Sequence, residues 1–235
     1  MNELILPPGK AKGCLPRKSR IGEICPIFGE RIEVIPRGDW PDLLTEIDLR
    51  PHVKNIKDQD GVGSCATESA SLAEEIAEVF AGQNWTELNP WFIYRTTSGG
   101  RDSGSSIDEN LAFARRYGIA PMSIWPRSKG WRAKPSDEAY EAALDHRIEE
   151  FYDIASWDEF GSALLTGFAV VFGYSGHSVC ATSLVSTEEL EFANSWDESW
   201  GDNGFGRLAA RSIYWGYGAF AVRVGHFAHT LPAAA

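Results

Sequence analysis

The sequence predicts an α+β fold with two unlike lobes, and three observations carry that prediction. Residues 64–80 place apolar or small side chains at Ala66, Ala70, Ala73, Ile76, Ala77 and Phe80, close to a 3.6-residue period. From Phe168 onward the texture changes to short β-rich runs separated by Gly, Ser, Asp and Asn turns. No internal repeat or low-complexity stretch breaks this order, and helices followed by strands is the pattern of a segregated α+β chain.

The length, 235 residues, fits one large domain or two small lobes sharing a core. With 22 Lys and Arg against 33 Asp and Glu the net charge is −11, which excludes a protein that binds nucleic acid by bulk electrostatics. No apolar run approaches the ~20 residues that cross a bilayer. Leu4-Ile5-Leu6 before Pro7-Pro8 is too short for a signal-peptide core, so no secretion signal and no membrane partner are expected. The four cysteines, Cys14, Cys25, Cys65 and Cys180, are widely spaced and form no CxxC pair. They point to neither a zinc site nor a disulfide scaffold and favour a reducing compartment; Cys14 and Cys25 either bridge or stay free.

Residues 1–32 read as an extended basic arm, because Lys10, Lys12, Arg17, Lys18 and Arg20 face only Glu3 in the first twenty positions. Such an arm lies back on the acidic body, reaches a protein partner, or stays a partly ordered terminus. Residues 33–235 form the main domain, with a helical lobe at about 45–165 and a β lobe at about 166–225. Helices are expected over 64–80, with Ser64 as the cap, and over 90–97, 106–117, 136–143 and 157–165. Strands are expected within 169–175, 178–186, 190–195, 204–210 and 218–224.

Cys65 then falls in the first turn of a helix, where the positive end of the macrodipole favours a thiolate. Upstream stand Gln59 and the small residues Gly61, Gly63 and Ser64, which permit close backbone approach of a substrate carbonyl. The Gln59 amide and the Cys65 N–H suit an oxyanion hole.

The segment Gln59-Asp60-Gly61-Val62-Gly63-Ser64-Cys65 resembles the Gln-Gly-x-x-Gly-Ser-Cys signature of papain-like cysteine peptidases. Residues 194–205, beginning Asn194-Ser195-Trp196, resemble that family's Asn-Ser-Trp-Gly-x-x-Trp-Gly-x-x-Gly-Tyr segment, and Gly176-His177-Ser178-Val179 is similar to the opening of its catalytic-His strand. Residues 48–59, 101–107 and 117–119 are similar to the bacterial and viral branch, and the likeness runs collinearly from about 45 to 224.

The resemblance implies a papain-like two-lobe fold, a helical lobe and an antiparallel β-barrel-like lobe with the active-site cleft between them. It implies Cys65 as nucleophile, His177 as base and then acid, Asn194 as the group orienting the imidazole and Gln59 as oxyanion donor, with no metal or cofactor. A Cys–His ion pair would hold the thiol charged. Trp196 would shield the Asn194–His177 bond, and Ser103, Gly104 and Gly63 would offer backbone to an extended polypeptide substrate. The activity implied is endopeptidase hydrolysis through a thioester.

Two departures stand out: Val62 replaces the family's usual Cys, and Ala66-Thr67-Glu68 replaces its Trp-Ala-Phe. A carboxylate at Glu68 opposes thiolate formation unless it is paired or protonated. These departures keep open a different amide chemistry, transamidase or amidase, or a non-catalytic structural or interaction module such as a viral particle component. Cys180 reads as a buried structural thiol, and His52, His146, His226 and His229 as surface or core histidines.

Overall fold

The computed structural model describes residues 5–224. After β1 (Cys14–Leu15) and the single-turn helix α1 (Trp40–Leu43) comes the long helix α2 (Cys65–Phe80), then α3 (Pro90–Thr97), β2 (Ser105–Ser106) and α4 (Ile107–Tyr117). The chain continues through α5 (Asp137–Ala143), β3 (Glu150–Asp153), α6 (Trp157–Leu165), β4 (Ala169–Tyr174), β5 (His177–Ser186), β6 (Glu189–Ala193), β7 (Phe205–Ala209) and β8 (Ala219–Arg223). The helices and the last five strands fall where the sequence places them. The mixed α+β class holds.

Strands β3 to β8 form one six-stranded antiparallel sheet in the order β3-β8-β4-β5-β6-β7. Its ladder stays open at β3 and β7, so the barrel-like lobe is a sheet whose two faces are both covered. Alternation along β4 shows how: Ala169 and Val171 join a core with α2, α3 and α4, whereas Val170, Phe172 and Tyr174 join a second core with α6, Phe28 and Trp40. Strand β3 and helix α6, expected in the helical lobe, therefore pack with the sheet. Their residues Tyr152, Phe160 and Ala163 complete its outer core. Strand β3 escapes a sequence reading because it is only Glu150–Asp153, an edge strand with no alternation to detect.

Helix α2 is buried almost all round, which fits its run of small residues wedged between α3, α4 and the sheet. Its acidic positions are buried with it. Glu75 meets Lys57, Glu78 lies 2.6 Å from His146 Nδ1, and the Glu74 Oε2 atom has no hydrogen-bond partner among the described residues.

The basic arm is ordered across the body. Strand β1 adds in parallel to β2, pairing Cys14 with Ser105 and Leu15 with Ser106. Arg17 pairs with buried Asp153 at 2.6 Å, and the backbone N–H groups of Lys18 and Ser19 donate to Asp108. Lys10, Arg17 and Lys18 thus find acidic partners within the chain itself. Cys14 and Cys25 do not bridge; all four cysteines are free and buried. His226 and His229 lie outside the described residues. Among the described residues, no helix is long and apolar enough to cross a membrane, and no cluster of three side chains suits a metal ion.

Candidate active site

Three separate chain segments converge on Cys65. The first is the N-terminus of α2, which carries the thiol on its first residue. Ser64 does not cap the helix with its side chain, as the sequence suggested. Its hydroxyl donates to Glu68 Oε1 at 2.9 Å and accepts from Trp91 Nε1 at 3.2 Å.

The second segment is the β4–β5 hairpin. Tyr174 pairs with His177 across Ser175 and Gly176, both at positive φ (50° and 76°), the pattern of a two-residue type I′ turn. The turn fixes His177 at the start of β5. The hydroxyl of the next residue, Ser178, bonds that of Ser69, one turn along α2 from Cys65, at 2.7 Å, which sets the start of β5 against the helix that carries the nucleophile.

The third is the end of β6. Pairing of Cys180 with Ala193 leaves Asn194 just beyond the strand, and Asn194 Oδ1 lies 2.7 Å from His177 Nε2. An amide oxygen only accepts, so Nε2 carries the proton and Nδ1 is left as the proton acceptor. Buried His177 Nδ1 has no hydrogen-bond partner among the described residues. The fully buried Trp196 ring lies tilted by 30° against the imidazole, with ring centroids 4.5 Å apart.

Gln59 is fixed on every side. Its backbone N–H donates to Ser195 O at 3.1 Å, its Oε1 accepts from Ser195 Oγ at 2.8 Å, and its Nε2 donates to Val62 O at 2.6 Å. The remaining Nε2 hydrogen faces the cleft. There it meets the carbonyl of Ala11, 3.1 Å away, which also accepts from Trp196 Nε1 at 3.2 Å.

The arm therefore runs through the site. The Gly13 carbonyl accepts from Ser105 N, 2.9 Å away. Cys14 N donates to Gly176 O at 3.1 Å. A Cβ on Gly13 would stand 2.0 Å from the Gly63 carbonyl oxygen, so only glycine passes here. Gly63 and Gly104 line this path, but the donor to the extended chain is Ser105. The Gly104 N–H is taken by the Tyr94 hydroxyl at 3.1 Å, and Ser103 is exposed, with its hydroxyl 3.5 Å from Ser98 O.

This covering sets the charge state. Burial pushes the Cys65 thiol up to about 11, against the pull of the N–H groups of Ser178, Gly13 and Ala66, while nearby Glu68 pushes it further up. Burial likewise lowers His177 to about 4, opposed by its bond to Asn194. Burial thus works against the ion pair the resemblance implies at both of its members. Without water around them, two charges cost more than their attraction returns.

Glu68 is paired. Both oxygens of this fully buried carboxylate are used, one by Ser64 Oγ and one by a short bond to the Arg127 guanidinium. The partner, 59 residues downstream, carried no signal in the sequence.

No family model matches this sequence, and no curated protein matches it. Solved structures do. Xylellain, a cysteine protease from Xylella fastidiosa, superposes with a TM-score of 0.73 at 19% identity, covering 95% of this chain and 100% of that one. Digestive procathepsin L 3 of Tenebrio molitor gives 0.65 at 16% identity, over 76% of this chain and 69% of that one. The ragweed pollen cysteine protease Amb a 11, in its proform, gives 0.61 at 16% identity, over 76% and 65%. With helices α2 to α4 on one face of the sheet and Cys65, His177 and Asn194 brought to one point, this chain has the fold of the papain-like cysteine proteases.

Proposed function

We propose that this chain is a cysteine endopeptidase that hydrolyses polypeptides through a thioester on Cys65. The observation that carries the reading is the convergence of four side chains from separate segments, with His177 oriented by Asn194 so that its unpaired Nδ1 is the atom left for the thiol.

Each group has a defined task. His177 Nδ1 takes the thiol proton as Cys65 Sγ attacks the carbonyl carbon. The oxygen that gains charge is held by the Cys65 N–H and by the Gln59 Nε2–H, which Ala11 O occupies until substrate replaces the arm, with the amide already oriented by Val62 and Ser195. The imidazolium then protonates the leaving amine. Water, deprotonated by the same Nδ1, releases the acid and restores the thiol. The lengthwise groove past Gly63, Gly104 and Ser105 already binds an extended strand by main-chain bonds, which suits a polypeptide.

The test is turnover of a mixed peptide library by the full chain, with Cys65→Ala as control. Cleavage by the first and none by the second supports the reading; cleavage by both, or by neither even when Gly13→Val displaces the arm from the cleft, overturns it.

A further inference from the structure

Glu68 and Arg127 do more than neutralise each other. The guanidinium spans two parts of the site: one nitrogen bonds Glu68, on the helical turn that carries Cys65, and another bonds the carbonyl of Asp58, the residue before Gln59. Its plane lies over the Trp91 ring at 4.6 Å, and Trp91 Nε1 reaches Ser64 Oγ, which in turn holds the other Glu68 oxygen. We propose that Arg127 is a positioning residue, which sets the distance between the oxyanion donor Gln59 and the nucleophile Cys65 by clamping Asp58 to Glu68. The planar fork suits this because it bonds two acceptors in fixed directions, which an ammonium does not.

The test separates positioning from stability. Arg127→Met alone strands a buried carboxylate and lowers the melting temperature. The double variant Glu68→Leu with Arg127→Met removes both charges, so its melting temperature returns toward wild type while the Gln59 side-chain amide resonance stays displaced and kcat stays about tenfold down. Arg127→Lys, which keeps a cation for Glu68, gives the same displaced resonance in a folded chain. A Gln59 resonance at its wild-type position in both folded variants overturns the assignment, and that readout does not depend on turnover.

Discussion

His177 Nε2 and Asn194 Oδ1 lie 2.7 Å apart, and this one bond decides which ring nitrogen faces the nucleophile. Asn194 also raises the affinity of the ring for a second proton, against the larger lowering by burial. Asn194→Ala is therefore expected to move the His177 titration below its present value of about 4. Proton NMR of the imidazole across pH measures it, and a titration that stays put or moves up contradicts the assigned tautomer.

The same ring makes stability depend on acid. In the unfolded chain the imidazole titrates near 6.5, in the folded chain near 4. The unfolded state therefore gains the proton first, and the stabilisation, complete above pH 6.5, is lost as pH falls to about 4. A gap of this size corresponds to about 3 kcal/mol. Urea unfolding at pH 7 and pH 4 should show a smaller acid loss for His177→Gln than for wild type. An identical loss in both chains removes His177 from the account.

At Glu74 the sign is reversed. Burial first, then the neighbouring Glu78 and Glu149, raise this carboxyl well above its ordinary value. The folded chain keeps a proton that the unfolded chain releases near 4.5, so stability is full below that pH and declines as pH rises. Glu74→Gln, permanently neutral, should unfold at higher urea than wild type at pH 8. The two chains should match at pH 4. Equal stability at pH 8 shows that water reaches the carboxylate.

Gln59 is held by Ser195 and Val62 with one hydrogen directed into the cleft, so its contribution belongs to the transition state. Gln59→Ala is expected to lower kcat by roughly 10² with little change in KM, read from initial rates on the best library peptide. A rise in KM at constant kcat would place Gln59 in substrate binding instead.

The fold was legible because its signals are local. The 3.6-residue period of 65–80 and the β-rich runs after Phe168 each state their own structure, whereas the side-chain caps of α3, α5 and α6 came only with the structure. The Gln59, Cys65, His177 and Asn194 set was legible because each sits in a motif with fixed neighbours. What escaped depends on contacts distant in sequence. Arg127 is one arginine in a loop until the fold sets it against Glu68, and the arm reads as a basic terminus until Gly13 is seen to fit between Gly63 and Gly104. The burial that works against charge on the thiol and the imidazole was hidden for the same reason, since it belongs to the packed fold and not to either motif.

The most direct test of a Cys65 nucleophile served by His177 is covalent trapping. The full chain is incubated to completion with an epoxysuccinyl peptide, digested and mapped by mass spectrometry, beside the His177→Ala variant. A single adduct on Cys65 in the first chain, absent or slowed at least a hundredfold in the second, is the predicted result. An adduct on Cys14, Cys25 or Cys180, or one on Cys65 that forms equally fast without His177, contradicts the account.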